Sequence, residues 1–131
     1  MDNTDLAKEW LRFAFQDIGV AKHSLSFYPL PIEAICYHCQ QASEKALKAV
    51  LVYFDEEVPR THDLYRLLEQ CSAFNQDLLS ELAEQCKRLS SYISVARYPS
   101  NIDLNEAEML LALEYAEKVL VSVIKVINFS S

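Results

Sequence analysis

The chain has 131 residues, of which 51% are hydrophobic, so it is long enough for one domain with one substantial core. One Gly and four Pro are too few chain-breaking residues for the many turns of a β-rich fold. The formal net charge of −7 argues against an extensive nucleic-acid surface, so any site for an anion must be local. We therefore expect a single all-α domain over residues 1–131.

The N-terminal segment predicts a first helix over about residues 5–26. Thr4 is the expected N-cap, and apolar residues recur at helical spacing after it. Trp10 and Phe13 are the largest of these residues, and we expect both to anchor the core. Gly19 lowers helix stability at its position, so we expect it to mark close packing against a neighbouring helix.

The strongest helical signal of the chain lies between Pro31 and Phe54, and the rest of the chain is expected to pack around this second helix. Apolar or small residues recur there every three or four positions and predict a buried face. The opposite side carries a polar stripe that steps by three, four and three residues: His38, Gln41, Lys45 and Lys48. This stripe is either an ordinary solvated face or part of a site for a ligand or partner.

Three further helices follow. Thr61 is the expected cap of a short third helix over residues 62–71, and a fourth helix begins at Phe74 or Asn75 and frays near Ser90. The last helix is predicted from Leu104 to about Asn128, after a capping-box pattern of Asp103 and Glu106. Its end, residues 119–129, is apolar nearly all round, so it is buried on two sides or lies in a homodimer interface. These elements predict an antiparallel up-and-down four-helix bundle with an extra short helix.

The four cysteines are expected to be free thiols in the core. A zinc site at Cys36, His38 and Cys39 would need a second Cys/His pair at usable spacing, which the sequence lacks. We therefore expect no metal and no cofactor. No apolar run is long enough to span a membrane, and the first ten residues are acidic where a signal peptide would be basic, so we expect a cytoplasmic protein.

The segment 92–102 lacks helical periodicity and reads as an irregular connection that lies beside another part of the fold. Its Arg97 suits a phosphate and its Tyr98 suits stacking on a base, although Arg97 could instead pair with an acidic residue such as Glu44. His62, at the start of the third helix, has the same two alternatives of a structural hydrogen bond or a ligand contact.

Three stretches together resemble the HEPN family (higher eukaryotes and prokaryotes nucleotide-binding): YHCQQASEKALKAVLVYF at 37–54, RTHDLYRLLEQC at 60–71 and ARYPS at 96–100. The resemblance implies a small helical bundle, often a homodimer, encoded beside or fused to a minimal nucleotidyltransferase. It also implies a non-catalytic module that binds a nucleotide, ATP or GTP, or a partner within a toxin-antitoxin-like pair. The candidate binding residues, expected to converge on one polar groove for a phosphate or an acidic group, are His38, Gln41, Lys45, Lys48, His62, Arg97 and Tyr98.

Two alternatives to this function remain. Many HEPN ribonucleases carry an Arg followed, after four to six residues, by a His. Here only one residue separates Arg60 from His62, and no His follows Arg97, so a ribonuclease toxin is disfavoured. A purely structural adaptor bundle is the other alternative.

Overall fold

The computed structural model describes residues 2–93 and 104–130. Within these ranges the chain forms helices and no strands, which confirms the predicted all-α, antiparallel up-and-down four-helix bundle with one extra short helix. The helices are α1 (Asn3–His23, followed by a 3₁₀ turn at Ser24–Ser26), α2 (Ile32–Tyr53), α3 (Leu64–Cys71), α4 (Asp77–Ser90) and α5 (Glu106–Ser130).

Helix α2 lies at the centre of the bundle and contacts each of the other four helices. Its apolar and small residues are buried around most of the circumference, with Ile35, Leu47 and Leu51 fully buried. A helix that is apolar on more than one face is typical of a bundle's interior position. The polar residues that remain on α2 are therefore confined to a narrow strip.

Helix α1 packs against α2 through small side chains rather than through its aromatic residues. Ala7, Ala14 and Ala21 recur at seven-residue spacing and are fully buried. Trp10 is partly buried and packs against the core, whereas Phe13 is 45% exposed, so the prediction that Phe13 anchors the core was wrong. Alanines let two helix backbones approach closely, and this closeness leaves no room for larger rings between them.

The surroundings of Gly19 and the N-cap of α1 also differ from the predictions. A Cβ atom placed on Gly19 would meet nothing within 4 Å, so this residue does not mark a close helix contact. The N-cap of α1 is Asp2, whose carboxylate accepts a hydrogen bond from the Asp5 amide at 2.8 Å, and Thr4 already lies inside the helix.

The turn before α3 is fixed by several hydrogen bonds. Asp63, not Thr61, is the N-cap, and its carboxylate accepts from the amides of Tyr65 and Arg66. Thr61 instead accepts from the Asp63 amide through Oγ1 at 3.1 Å. The Leu64 amide donates to Ser90 Oγ at 2.8 Å, which ties the start of α3 to the end of α4.

The apolar end of α5 contributes side chains to the core of the bundle. Val119, Val123 and Ile127 are buried, whereas Val121 is 52% exposed. None of the described helices is both long and apolar enough to span a membrane. The predicted cap Asp103 lies outside the described residues, and Asn105 accepts the Glu108 amide through Oδ1 at 2.9 Å.

All four cysteines are buried and free, as predicted. Burial raises the pKa of Cys36 to about 11 and the pKa values of Cys71 and Cys86 to about 12. Since the thiolate is the reactive form, these thiols are expected to be inert in the folded chain.

Candidate functional site

The first polar cluster of the candidate site forms around Asp17 of α1. One carboxylate oxygen lies 2.9 Å from His38 Nδ1, and the other accepts a hydrogen bond from Lys45 Nζ at 2.6 Å. Asp17 is only 9% exposed, at the edge of the α1 face that packs on α2. A buried carboxylate needs such partners to remain charged, so Asp17 holds both α2 side chains in place.

The second cluster forms around Glu44 of α2, which is 5% exposed. Its carboxylate accepts from Lys48 Nζ at 2.9 Å and lies 2.8 Å from His62 Nδ1, while Gln40 Nε2 donates to it at 3.3 Å. Burial acts to raise the pKa of Glu44, but the hydrogen bonds from Lys48 and His62 outweigh it and hold the pKa below its ordinary value. Glu44 is therefore a stable anion inside the bundle.

Glutamines extend the Glu44 cluster along α2. Gln41 Nε2 donates to Gln40 Oε1 at 2.8 Å, and Gln40 Nε2 also donates to the backbone carbonyl of His62 at 3.3 Å. The backbone and the imidazole of His62 are thus both held by α2 residues. Two residues of α2, Gln40 and Glu44, therefore position His62.

The two clusters have the same composition: one buried carboxylate, one lysine and one histidine. In each, the carboxylate contacts the imidazole through Nδ1, which leaves Nε2 as the ring nitrogen that a ligand could reach. The side chains of His38 and His62 are 31% and 50% exposed. A charged lysine balances each carboxylate, so each cluster is electrically neutral whenever its histidine is neutral.

Aromatic rings of α1 border both clusters. The Lys48 ammonium lies 5.9 Å from the Trp10 ring centroid, and the Lys45 ammonium lies 6.0 Å from that of Phe13. The Arg12 guanidinium lies 4.6 Å from the Phe13 centroid on the same helix. These distances are in the range of cation–π contacts, so the rings add to the fixation of the lysines.

Five of the seven predicted site residues belong to these clusters: His38, Gln41, Lys45, Lys48 and His62. Arg97 and Tyr98 lie outside the described residues. Sequence interpretation missed Asp17, although its position among the apolar residues of α1 was a signal that a buried partner would be required. No group of three or more His, Cys, Asp or Glu side chains able to hold a metal ion occurs in residues 2–93 and 104–130.

Comparison with known proteins agrees with this architecture. The model of the HEPN domain family matches residues 7–127. The chain belongs to the HEPN family. The HEPN chain is also similar to a solved structure, described as the crystal structure of TT1696 from Thermus thermophilus, with a TM-score of 0.82 and 28% identity. This similarity covers 92% of the chain and 97% of TT1696. A search of curated proteins found no match.

Proposed function

We propose that this HEPN chain is a non-catalytic binding module that acts with a separately encoded minimal nucleotidyltransferase and binds a nucleotide, with ATP and GTP as the candidates. The observation that carries the proposal is the pair of lysine–carboxylate–histidine clusters along the polar side of α2, here called the α2 strip. The first cluster contains Asp17, His38 and Lys45, and the second contains Glu44, Lys48 and His62. In each cluster the carboxylate engages Nδ1 and leaves Nε2 free of the carboxylate, and Nε2 donates to an anionic group when the imidazole carries a proton on both nitrogens.

The state of the two carboxylates supports binding rather than phosphoryl transfer. Enzymes that transfer phosphoryl groups use carboxylates to hold Mg²⁺. Asp17 and Glu44 are instead each engaged by a lysine and a histidine of their own chain. We assign the metal-dependent chemistry of the proposed pair to the nucleotidyltransferase and the ligand contacts to this chain.

The exposed side of α1 supports a contact with another protein chain. Leu6, Phe13 and Val20 recur at seven-residue spacing and are each more than 40% exposed, and Phe27 and Tyr28 follow at 65% and 94%. Clustered apolar side chains on a helix face are typical of protein interfaces. Both the homodimer and the toxin-antitoxin-like pairing with a nucleotidyltransferase require such a surface.

Calorimetric titration of ATP and GTP into the purified chain tests the nucleotide part. We expect saturable binding, and absence of binding at millimolar nucleotide would refute it. Co-expression with a minimal nucleotidyltransferase of the same genome, followed by size-exclusion chromatography, tests the partner part, since a stable pair should elute together. Cleavage of RNA that disappears in His62→Ala would overturn the non-catalytic assignment in favour of the ribonuclease alternative.

A further inference from the structure

His62 takes part in a second feature of the surface besides the Glu44 cluster. Together with Lys87, Ser90 and Ser91 it lines a cavity of about 440 Å³ between the start of α3 and the end of α4. Nδ1 of His62 contacts Glu44, so Nε2 is the nitrogen left for a molecule in this cavity, and it donates to an anion when the imidazole carries a proton on both nitrogens.

The cavity contains a cation that differs from the lysines of the α2 strip. Lys45 and Lys48 each form an ion pair with a carboxylate, whereas no ion pair of the described residues includes Lys87. The Lys87 ammonium lies 4.7 Å from the ring centroid of Tyr65, a contact that leaves its positive charge intact. An anion would meet less competition at Lys87 than at Lys45 or Lys48.

The other polar groups of this cavity suit an anion as well. Ser90 Oγ accepts the Leu64 amide, so its own O–H is available to donate. Asp63 also lines the cavity, but its carboxylate accepts two amides at the start of α3, and those amides offset part of its negative charge.

A second cavity of about 530 Å³ adjoins the first, because Lys87 and Ser91 line both. Leu111 and Tyr115 of α5 supply its apolar and aromatic wall. Arg88 is engaged by Glu108, and Glu84 accepts from the Tyr115 hydroxyl at 3.2 Å. Both cavities are wide open to solvent, and the volume of each is within the range of small-molecule sites, about 300–1,000 Å³.

We infer that these two cavities form one nucleotide site, in which the phosphates bind between His62 and Lys87 and the base lies against Leu111 and Tyr115. The inference rests on the proposed nucleotide binding and gives it a location on α3, α4 and α5. It also changes the expected electrostatic contact, because Lys87 replaces the carboxylate-bound Lys45 as the main phosphate ligand.

The test compares two probes, ATP and inorganic triphosphate, by calorimetric titration into the wild-type chain and three variants. Lys87→Met removes the proposed phosphate contact and Tyr115→Ala removes the proposed base contact. Lys125→Met is the matched control, since Lys125 lines a different cavity that also contains Asp77 and Glu81. Circular dichroism establishes that each variant is folded.

We expect Lys87→Met to weaken both probes by about tenfold or more, the usual effect of losing a hydrogen bond to a charged group. Tyr115→Ala should weaken ATP and leave triphosphate unchanged, and Lys125→Met should change neither. ATP binding that is equal in wild type and Lys87→Met would overturn this location while the proposed nucleotide binding stands. Absence of ATP binding to the wild-type chain would overturn both.

Discussion

The buried ion pair of Glu44 and Lys48 provides the sharpest test of how the α2 strip is held together. The two side chains are 6% and 12% exposed, and Nζ lies 2.9 Å from Oε2. Lys48→Met keeps most of the aliphatic chain beside Trp10 and removes the ammonium group. The carboxylate of Glu44 then remains buried with His62 and Gln40 as its partners.

The expected loss of stability follows from this geometry. Removing one partner of a fully buried pair costs about 3–5 kcal/mol, because the remaining charge is left uncompensated. His62 and Gln40 still hydrogen-bond to Glu44 in the variant, and the His62 side chain is half exposed to solvent. We therefore expect Lys48→Met to lower the free energy of unfolding by about 2–3 kcal/mol, which is less than the cost for a fully buried pair because these contacts remain.

Urea unfolding followed by circular dichroism measures this free energy. Lys22→Met is the matched control, since the Lys22–Glu117 pair has the same 2.9 Å distance but side chains that are 52% and 48% exposed. Exposed pairs contribute at most about 1 kcal/mol, so the control should lose little. Equal losses for the two variants would show that burial does not determine the strength of the pair.

A double-mutant cycle separates the interaction from the effects of the single changes. Glu44→Gln keeps the shape of the side chain but loses the charge that Lys48 and His62 contact. Once Glu44 is neutral, Lys48→Met no longer leaves an unpaired buried anion. The double variant should therefore lose about 1–2 kcal/mol less than the two single losses added together, and additivity would contradict the reasoning.

Three further predictions follow from burial. Burial acts to raise the pKa of Glu44, but the hydrogen bonds from Lys48 and His62 outweigh it and lower this pKa in the folded chain. The stability that the ionised Glu44 contributes is therefore present above its pKa in the unfolded chain, and it is lost as the pH falls through its pKa in the folded chain. The difference in unfolding free energy between wild type and Glu44→Gln should therefore narrow below about pH 4.3 in urea titrations. A thiol reagent such as Ellman's should label the cysteines only after unfolding, and fast labelling of the native chain would contradict their burial. Phe13→Asn should weaken any self-association in sedimentation while lowering the unfolding free energy by about 1 kcal/mol or less, because the ring is 45% exposed and contacts Arg12 and Lys45.

The sequence predicted the buried residues well in the helices whose apolar side chains cover a broad part of the surface. In α2 and α4 the apolar residues recur every three or four positions, and Leu47, Leu82 and Leu89 are buried as expected. The first of the three HEPN-like stretches, residues 37–54, also lies almost entirely in α2. Periodicity is sufficient there because both helices have a broad apolar face that can pack in one orientation.

The orientation of α1 could not be read from the same pattern. Leu6, Phe13 and Val20 form one apolar stripe, and each is followed directly by an alanine of the buried stripe. One residue corresponds to a rotation of about 100° around a helix. Side-chain size favoured the wrong stripe, since a close contact between α1 and α2 selects the smaller residues.

Pairings between distant residues explain why the candidate site was predicted only in part. Periodicity placed Lys45 and Lys48 on one strip, but it could not show that Asp17, from another helix, reaches Lys45 or that Glu44 reaches His62. These pairings change the expected chemistry, because a lysine with its own buried carboxylate attracts an incoming anion less than an isolated lysine does. The strip is thus better suited to fixing two imidazoles than to binding a phosphate through its lysines. Lys87 pairs with no carboxylate among the described residues, so it is the better candidate for a phosphate ligand. The cavity that contains Lys87 adjoins the α2 strip, because His62 lines the cavity and also contacts Glu44.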